Sequence, residues 1–347
     1  MSNLQIGLAI AGGVVLAAVV AHGAWNSRRN APRQAKPEPM GAAAQTTPRE
    51  PSFDGDMGDD TQPMSLPPVV RRSAMDSLID VIATIALDGP GMVVSGEAAI
   101  AAMPSTRRAG TKPYAIEGYN LSTLNWELPA AGQRYGGFQA GVQLANRSGP
   151  LNEIEYSEYV VKTQAFADAV NATPEFPEML EEVARARELD QFASVHDAQL
   201  GFTIRARDAS WSPGYVQQNA AHLGFVAGVI PGRMVLPASA PGLAPVLVLS
   251  FDSQAALAED PAQSAIRDLT LHLDVAQVDR HERPFDRMRE VAASLSQTMD
   301  GVVTDDNGQL LTSDTMDGIG VELQGLYDTL EQRDLAAGSL LARRLFA

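Results

Sequence analysis

The residues best suited to chemistry in this 347-residue chain are five histidines, at positions 22, 196, 222, 272 and 281, and the acidic run Asp305-Asp306-Asn307-Gly308. The histidines show no metal-ligand spacing, and His281 sits in a charged, loop-like stretch that solvates it. The acidic run has the composition of a calcium loop but lacks its alternating ligands and its glutamate at the twelfth position, so it reads as a tight turn. No G-x-x-x-x-G-K-[ST], G-x-G-x-x-G, G-x-S-x-G or H-E-x-x-H occurs, so the usual phosphate, dinucleotide, serine-hydrolase and zincin signals are missing. With no cysteine there is no thiolate nucleophile and no disulfide, which suits a reducing compartment. Asn120, Asn146 and Asn171 head N-x-[ST] triplets, which carry no meaning in a cytoplasmic domain. The chain asks for no metal, no cofactor and no catalytic role. A net charge of −16 argues against nucleic acid as the main partner, because phosphate would be repelled.

What the residues do suggest is attachment and binding. The first 27 residues carry no charged side chain, and Leu4–Ala21 is almost unbroken apolar and small residues. Leu4–Trp25 has the roughly 20 residues that ~30 Å of hydrocarbon demands, and is expected to form one helix in the lipid bilayer. Arg28, Arg29, Arg33 and Lys36 come directly after it, which by the positive-inside rule leaves the long C-terminal part in the cytoplasm. The rival is a cleaved secretory signal, since Ala21-His22-Gly23 has small-x-small spacing; but Met1–Gln5 offers only the α-amine as positive charge. Gly13, Ala17 and Ala21 give a face on which two helices can pack closely, and equally fit ordinary membrane-helix composition; weak self-association stays open.

Residues 26–72 read as a disordered linker. Prolines at 32, 37, 39, 48, 51, 63, 67 and 68 surround the acidic patch Asp54, Asp56, Asp59 and Asp60, and such a stretch buries too little apolar surface to offset its ordering entropy. As a flexible tether of ~45 residues it spans ~35–40 Å.

Globular patterning starts near Met75. A strand is expected over 77–87, a short helix over 95–102 with Ser95 as cap, and paired strands over 113–121 and 135–146. A helical stretch then runs over 152–196, interrupted near Pro174 and Pro177. Residues 73–196 thus form an additional α+β region, either an extra half-domain or a divergent repeat of the strand, helix and strands that begin at residue 197. That second pattern has a strand at 197–206 with Leu200, Phe202, Ile204 and Ala206 on one side, a helix over 213–223, and strands at 225–236, 245–251 and 268–275. A helix over 283–299, a strand at 301–304, a turn at 305–308 and a helix over 313–333 complete it. The fold class is α+β: a mostly antiparallel sheet with helices on one face. Residues 335–347, with Leu340, Leu341, Leu345 and Phe346 beside Arg343 and Arg344, read as a frayed C-terminal tail or an amphipathic contact with lipid or partner.

Two stretches carry a family resemblance. His22-Gly23-Ala24-Trp25-Asn26-Ser27-Arg28, closing the apolar run, resembles the membrane anchor of the ZipA family of bacterial cell-division proteins. Residues 285–328 resemble the last part of that family's C-terminal domain, through Phe285, Met288, Ala292, Gly301-Val302-Val303, Asp305-Asp306, Thr312 and Tyr327. The element order over 197–334 is similar to that whole domain, while 73–196 falls outside it. The resemblance implies a single-pass inner-membrane protein at the division septum that binds the C-terminal tail of FtsZ, the tubulin-like division GTPase. In the family the tail docks in a shallow apolar cleft on the sheet face that helices leave bare, a reading of apolar anchors by an exposed patch. Carried over strand by strand, it places that cleft on Gln199, Gly201 and Thr203, on Ile230, Gly232 and Met234, on Val246, Val248 and Asp252, and on Thr270 and His272. Gly201, Gly232, Asp252 and His272 are small or polar where well-known members are large and apolar. Plain packing beneath residues 75–196 is the competing role for Ile230, Met234, Val246 and Val248. Two readings stay beside the FtsZ tether: an exported protein, and a membrane-bound scaffold with a different partner.

Overall fold

The computed structural model describes residues 32–35, 75–89, 91–260 and 264–347. The apolar run Leu4–Trp25 and most of the linker lie outside them. Among the described residues no helix is long and apolar enough to cross a membrane. The described chain forms two compact units, one of residues 75–195 with 344–347, the other of residues 32–35 with 196–343.

The first unit opens with β1 (Asp80–Leu87), β2 (Val94–Ser95) and α1 (Gly96–Ala102), whose cap Ser95 accepts a hydrogen bond from Ala98 N–H. Then come β3 (Arg108–Ala109), β4 (Lys112–Asn120), β5 (Asn125–Glu127), β6 (Arg134–Gln143), and the short ladder of β7 (Ala145–Asn146) with β8 (Gly149–Pro150). It closes with α2 (Glu153–Ala169), β9 (Ala172–Glu175) and α3 (Met179–His196). The interruption expected near Pro174 is therefore a strand, β9, which pairs antiparallel with β1. The main sheet order is β3-β4-β6-β1-β9. Alternation sends Val81, Ala83 and Ile85 of β1 and Phe138, Ala140 and Val142 of β6 inward, all fully buried. There they meet aromatic residues of α2: Phe166 stands edge-on to Phe138 at 5.1 Å, and Tyr159 donates to Ala140 O at 3.0 Å.

The second unit runs β10 (Gln199–Ala206), α4 (Pro213–His222), β11 (Val226–Ala227), β12 (Arg233–Leu236), β13 (Leu247–Ser250), α5 (Ser253–Ala256), β14 (Asp268–Asp274), α6 (Pro284–Met299), β15 (Gly301–Thr304) and α7 (Ser313–Gln332). Its sheet order is β11-β12-β13-β14-β10-β15, every pairing antiparallel. Helix α6 buries Phe285, Met288, Val291, Ala292, Leu295 and Met299, an i, i+3, i+7 stripe laid over the Phe202–Ile204 face of the sheet. Phe202 and Phe285 meet edge-on at 6.2 Å across that layer.

The two units are copies of one topology. Each has a first strand paired on one side with its third main strand and on the other with the strand that comes after the long helix. The registers coincide as well as the order. Ile82↔Gly141↔Ala115 in the first unit matches Gly201↔His272↔Val248 in the second, and Leu87↔Ala172 matches Ala206↔Gly301. Irregular details repeat too. Asn171 and Asp300, each at positive φ between the long helix and the next strand, both accept from the residue after the first strand, Asp88 and Arg207, at 3.1 Å. Leu144 N–H bonds Ile79 O in one unit and Val275 N–H bonds Ala198 O in the other. Of the two readings of residues 73–196, the structure therefore fits the divergent repeat.

Two expectations are corrected. Residues 335–347 do not fray. Leu335 and Ala337 are buried, Gly338 N–H bonds Ala276 O, and α8 (Leu340–Leu345) leads to Leu345 and Phe346, each 1 % exposed. The cause is a buried anchor: the Arg344 guanidinium grips both oxygens of Asp80, a carboxylate only 2 % exposed. The linker, in turn, is not free along its whole length. Arg33 forms a parallel bridge with Trp211, and its guanidinium bonds Met299 O and Asp300 Oδ2. Two backbone bonds, Arg33 N–H to Ser210 O and Ser212 N–H to Arg33 O, complete the clip.

Candidate functional site

Among the described residues, the second sheet has one face under α6 and one that no helix of its unit covers. Antiparallel partners share a face, so the registers give the uncovered surface row by row. One row runs Val226, Val235, Val248, His272, Gly201; the next runs Arg233, Ser250, Thr270, Thr203, Thr304. The first half of the upper row is a strip of three valines, with Val226 half exposed. The other half is polar. Arg205 and Asp268, directly opposed, form an ion pair at 2.7 Å. Burial holds the His272 imidazole below its ordinary value of 6.5; Asp306 pulls it back up and Arg233 pushes it down further. Asp306 comes from the turn after β15, where Gly308 N–H bonds Asp305 O and Asp305 Oδ1 accepts from Asn307 and Gln309. That turn lies over Gly201: a Cβ there would lie 2.9 Å from Asp306 Oδ1, the free end of a side chain that can swing aside.

Six of the eleven residues expected in the cleft lie together on this face: Gln199, Gly201, Thr203, Val248, Thr270 and His272. The other five do not. Met234 lies opposite Leu249 on the covered side and is 5 % exposed. Ile230 and Gly232 belong to the β11–β12 turn, where Arg233 N–H bonds Ile230 O across Pro231-Gly232. Pro at the second and Gly at the third position of a four-residue turn are the signature of type II, and Gly232 has φ +76°. Because the expected single strand over 225–236 is a hairpin, the side-chain phase changes at that turn, and odd residues, Arg233 and Val235, face out instead of even ones. Val246 N–H bonds Leu236 O although Leu247 is the register partner of Leu236. Two residues against one make a bulge, which turns Val246 inward to 1 % exposure. Asp252 caps α5, accepting from Gln254 N–H. Val226 and Val235 were missed, and the Pro231-Gly232 turn signal was the cue to them.

This geometry defines a small α+β domain whose bare sheet face carries an apolar strip beside polar residues. Residues 254–320 match the family described as ZipA, C-terminal FtsZ-binding domain. The matched stretch holds β14, α6, β15 and the start of α7, so the ZipA resemblance read from residues 285–328 holds at the heart of the second unit. No curated protein matches the chain.

Proposed function

We propose that this protein is a non-enzymatic division component that holds the C-terminal tail of FtsZ on the bare face of its second unit and ties FtsZ filaments to the inner membrane. The observation that carries the reading is the match of residues 254–320 to a domain described as FtsZ-binding. The membrane end rests on the sequence: the uncharged stretch Leu4–Trp25 with its arginine flank is the anchor. The tail's apolar side chains lie along Val226, Val235 and Val248, with Gln199, Gly201, Thr203, Thr270 and His272 as the polar border. A patch this small gives a weak single contact, and many anchored copies meeting one polymer supply the strength by avidity. The test is recruitment: liposomes carrying the full chain are mixed with polymerised FtsZ and with FtsZ lacking its tail. Tail-dependent co-flotation is expected; equal flotation of both polymers, or of neither, contradicts the proposal.

A further inference from the structure

The bare face of the second sheet carries two arginines and treats them differently. Arg205 stands directly opposite Asp268, and the two form an ion pair at 2.7 Å. Opposite Arg233 the register puts Ser250, which has no charge to offer. Asp252, two residues further on, gives its carboxylate to the Gln254 amide as the cap of α5. Among the described residues the exposed Arg233 guanidinium has no hydrogen-bonded or ionic partner. Its charge acts instead on His272, which it makes harder to protonate.

The β11–β12 hairpin fixes where that free cation sits. Arg233 closes the turn: its N–H bonds Ile230 O, and its carbonyl accepts from Gly228 N–H at 2.8 Å. Arg233 Cγ passes 3.6 Å from where a Cβ on Gly228 would be, so the stem lies beside a residue with no side chain to displace it. Arg233 and Val235 are two residues apart on β12, which puts them on one face about 7 Å apart. Val235 is the middle of the valine strip, with Val226 on one side and Val248 on the other. The far end of the same face has the opposite sign, since Asp306 overhangs Gly201 on β10. A segment laid across this face therefore meets a cation beside its apolar contacts and a carboxylate at the other end.

We infer that Arg233 is the residue by which this face selects its partner: the bound segment carries an acidic residue one or two positions from its apolar anchors, and that carboxylate pairs with the Arg233 guanidinium. The spacing follows from the distance, because two residues of an extended chain cover the roughly 7 Å between Val235 and Arg233. The end of the segment over Gly201 is neutral or basic, because Asp306 repels an acidic one. This role for Arg233 rests on the reading of the face as the FtsZ tail site, and adds what the tail must carry.

The test is fluorescence polarisation of the labelled FtsZ C-terminal peptide against the full chain in detergent. A peptide set in which each Asp or Glu is changed in turn to Asn or Gln accompanies it. Arg233→Gln should weaken binding about fivefold or more, chiefly through slower association, and Arg233→Glu should weaken it further. Added salt should weaken the native chain more than the Arg233→Gln chain. One neutralised peptide should lose as much against the native chain yet lose nothing further against Arg233→Gln, the signature of a direct pair. Arg233→Lys, which keeps the charge, should restore part of the affinity. The side chain is exposed, so the fold survives, which circular dichroism checks. Equal affinity of the native and Arg233→Gln chains, or losses that simply add for every peptide, overturns the inference and leaves tail binding standing. No binding by the native chain contradicts the FtsZ reading itself, and the role of Arg233 falls with it.

Discussion

Replacing Arg344 by alanine removes the one cation that, among the described residues, pairs with the Asp80 carboxylate. Asp80 is 2 % exposed, and the guanidinium meets it through two bonds of 2.5 and 2.9 Å. Its other described partner is Asp76 N–H, a single donor. Breaking a buried pair from one side strands a charge, at a cost of about 3–5 kcal/mol in fully buried cases. The Arg344 side chain is 22 % exposed, so water can partly replace it and the lower end, about 3 kcal/mol, applies. Hydrogen exchange reads this locally: opening of β1 and β6 should become roughly a hundredfold more frequent, since 1.4 kcal/mol is tenfold. The effect depends on pH. Burial pushes the Asp80 carboxyl above its ordinary 3.8, and the hydrogen bond and charge of Arg344 pull it back. A carboxyl raised by folding stabilises fully below its unfolded value, and that stability is lost as pH rises through the folded value. Arg344→Ala enlarges the raise, so its cost should grow from acid toward neutral pH. Unchanged protection of β1 at neutral pH, or a cost that shrinks as pH rises, would refute a tail held by this fork.

Four further outcomes concern the second unit. Gly232→Ala should lower the urea midpoint strongly, by about 2 kcal/mol or more, because it puts a Cβ 2.6 Å from Phe251 O at a positive φ. Leu249→Ala, at a fully buried position of β13, should cost about 2–5 kcal/mol by the same measurement. Arg33→Ala should cost at most about 1 kcal/mol, since its ion pair with Asp300 is one-third to two-fifths exposed, yet should open residues 32–35 to limited proteolysis. The His272 imidazole should titrate below 6.5 by NMR, and Asp306→Asn should move it lower still, because Asp306 is the group that pulls it up.

Strands and helices with strict periodicity were legible without coordinates. The alternation over Leu200–Ala206 and the stripe from Phe285 to Met299 set β10 and α6 to within one or two residues. The repeat was hidden because the copies share register and alternation rather than identity. Over 79–87 against 198–206, only Thr84 with Thr203 and Ile85 with Ile204 are the same residue. Half the candidate face was misplaced for a physical reason: one type II turn at Pro231-Gly232 and one bulge at Val246-Leu247 each shift a strand's phase by a residue, which exchanges the two faces. The docked tail was out of reach as well, since a single arginine–aspartate pair 264 positions apart leaves no local pattern.

The central claim is that the bare valine strip of the second unit takes an FtsZ tail. Fluorescence polarisation of the labelled FtsZ C-terminal peptide against the full chain in detergent measures it most directly. The account predicts saturable binding with a Kd below about 100 μM, weakened about tenfold or more by Val235→Glu or Val248→Glu and untouched by Met103→Glu in the first unit. No binding at that concentration, or binding that survives both valine substitutions, contradicts it.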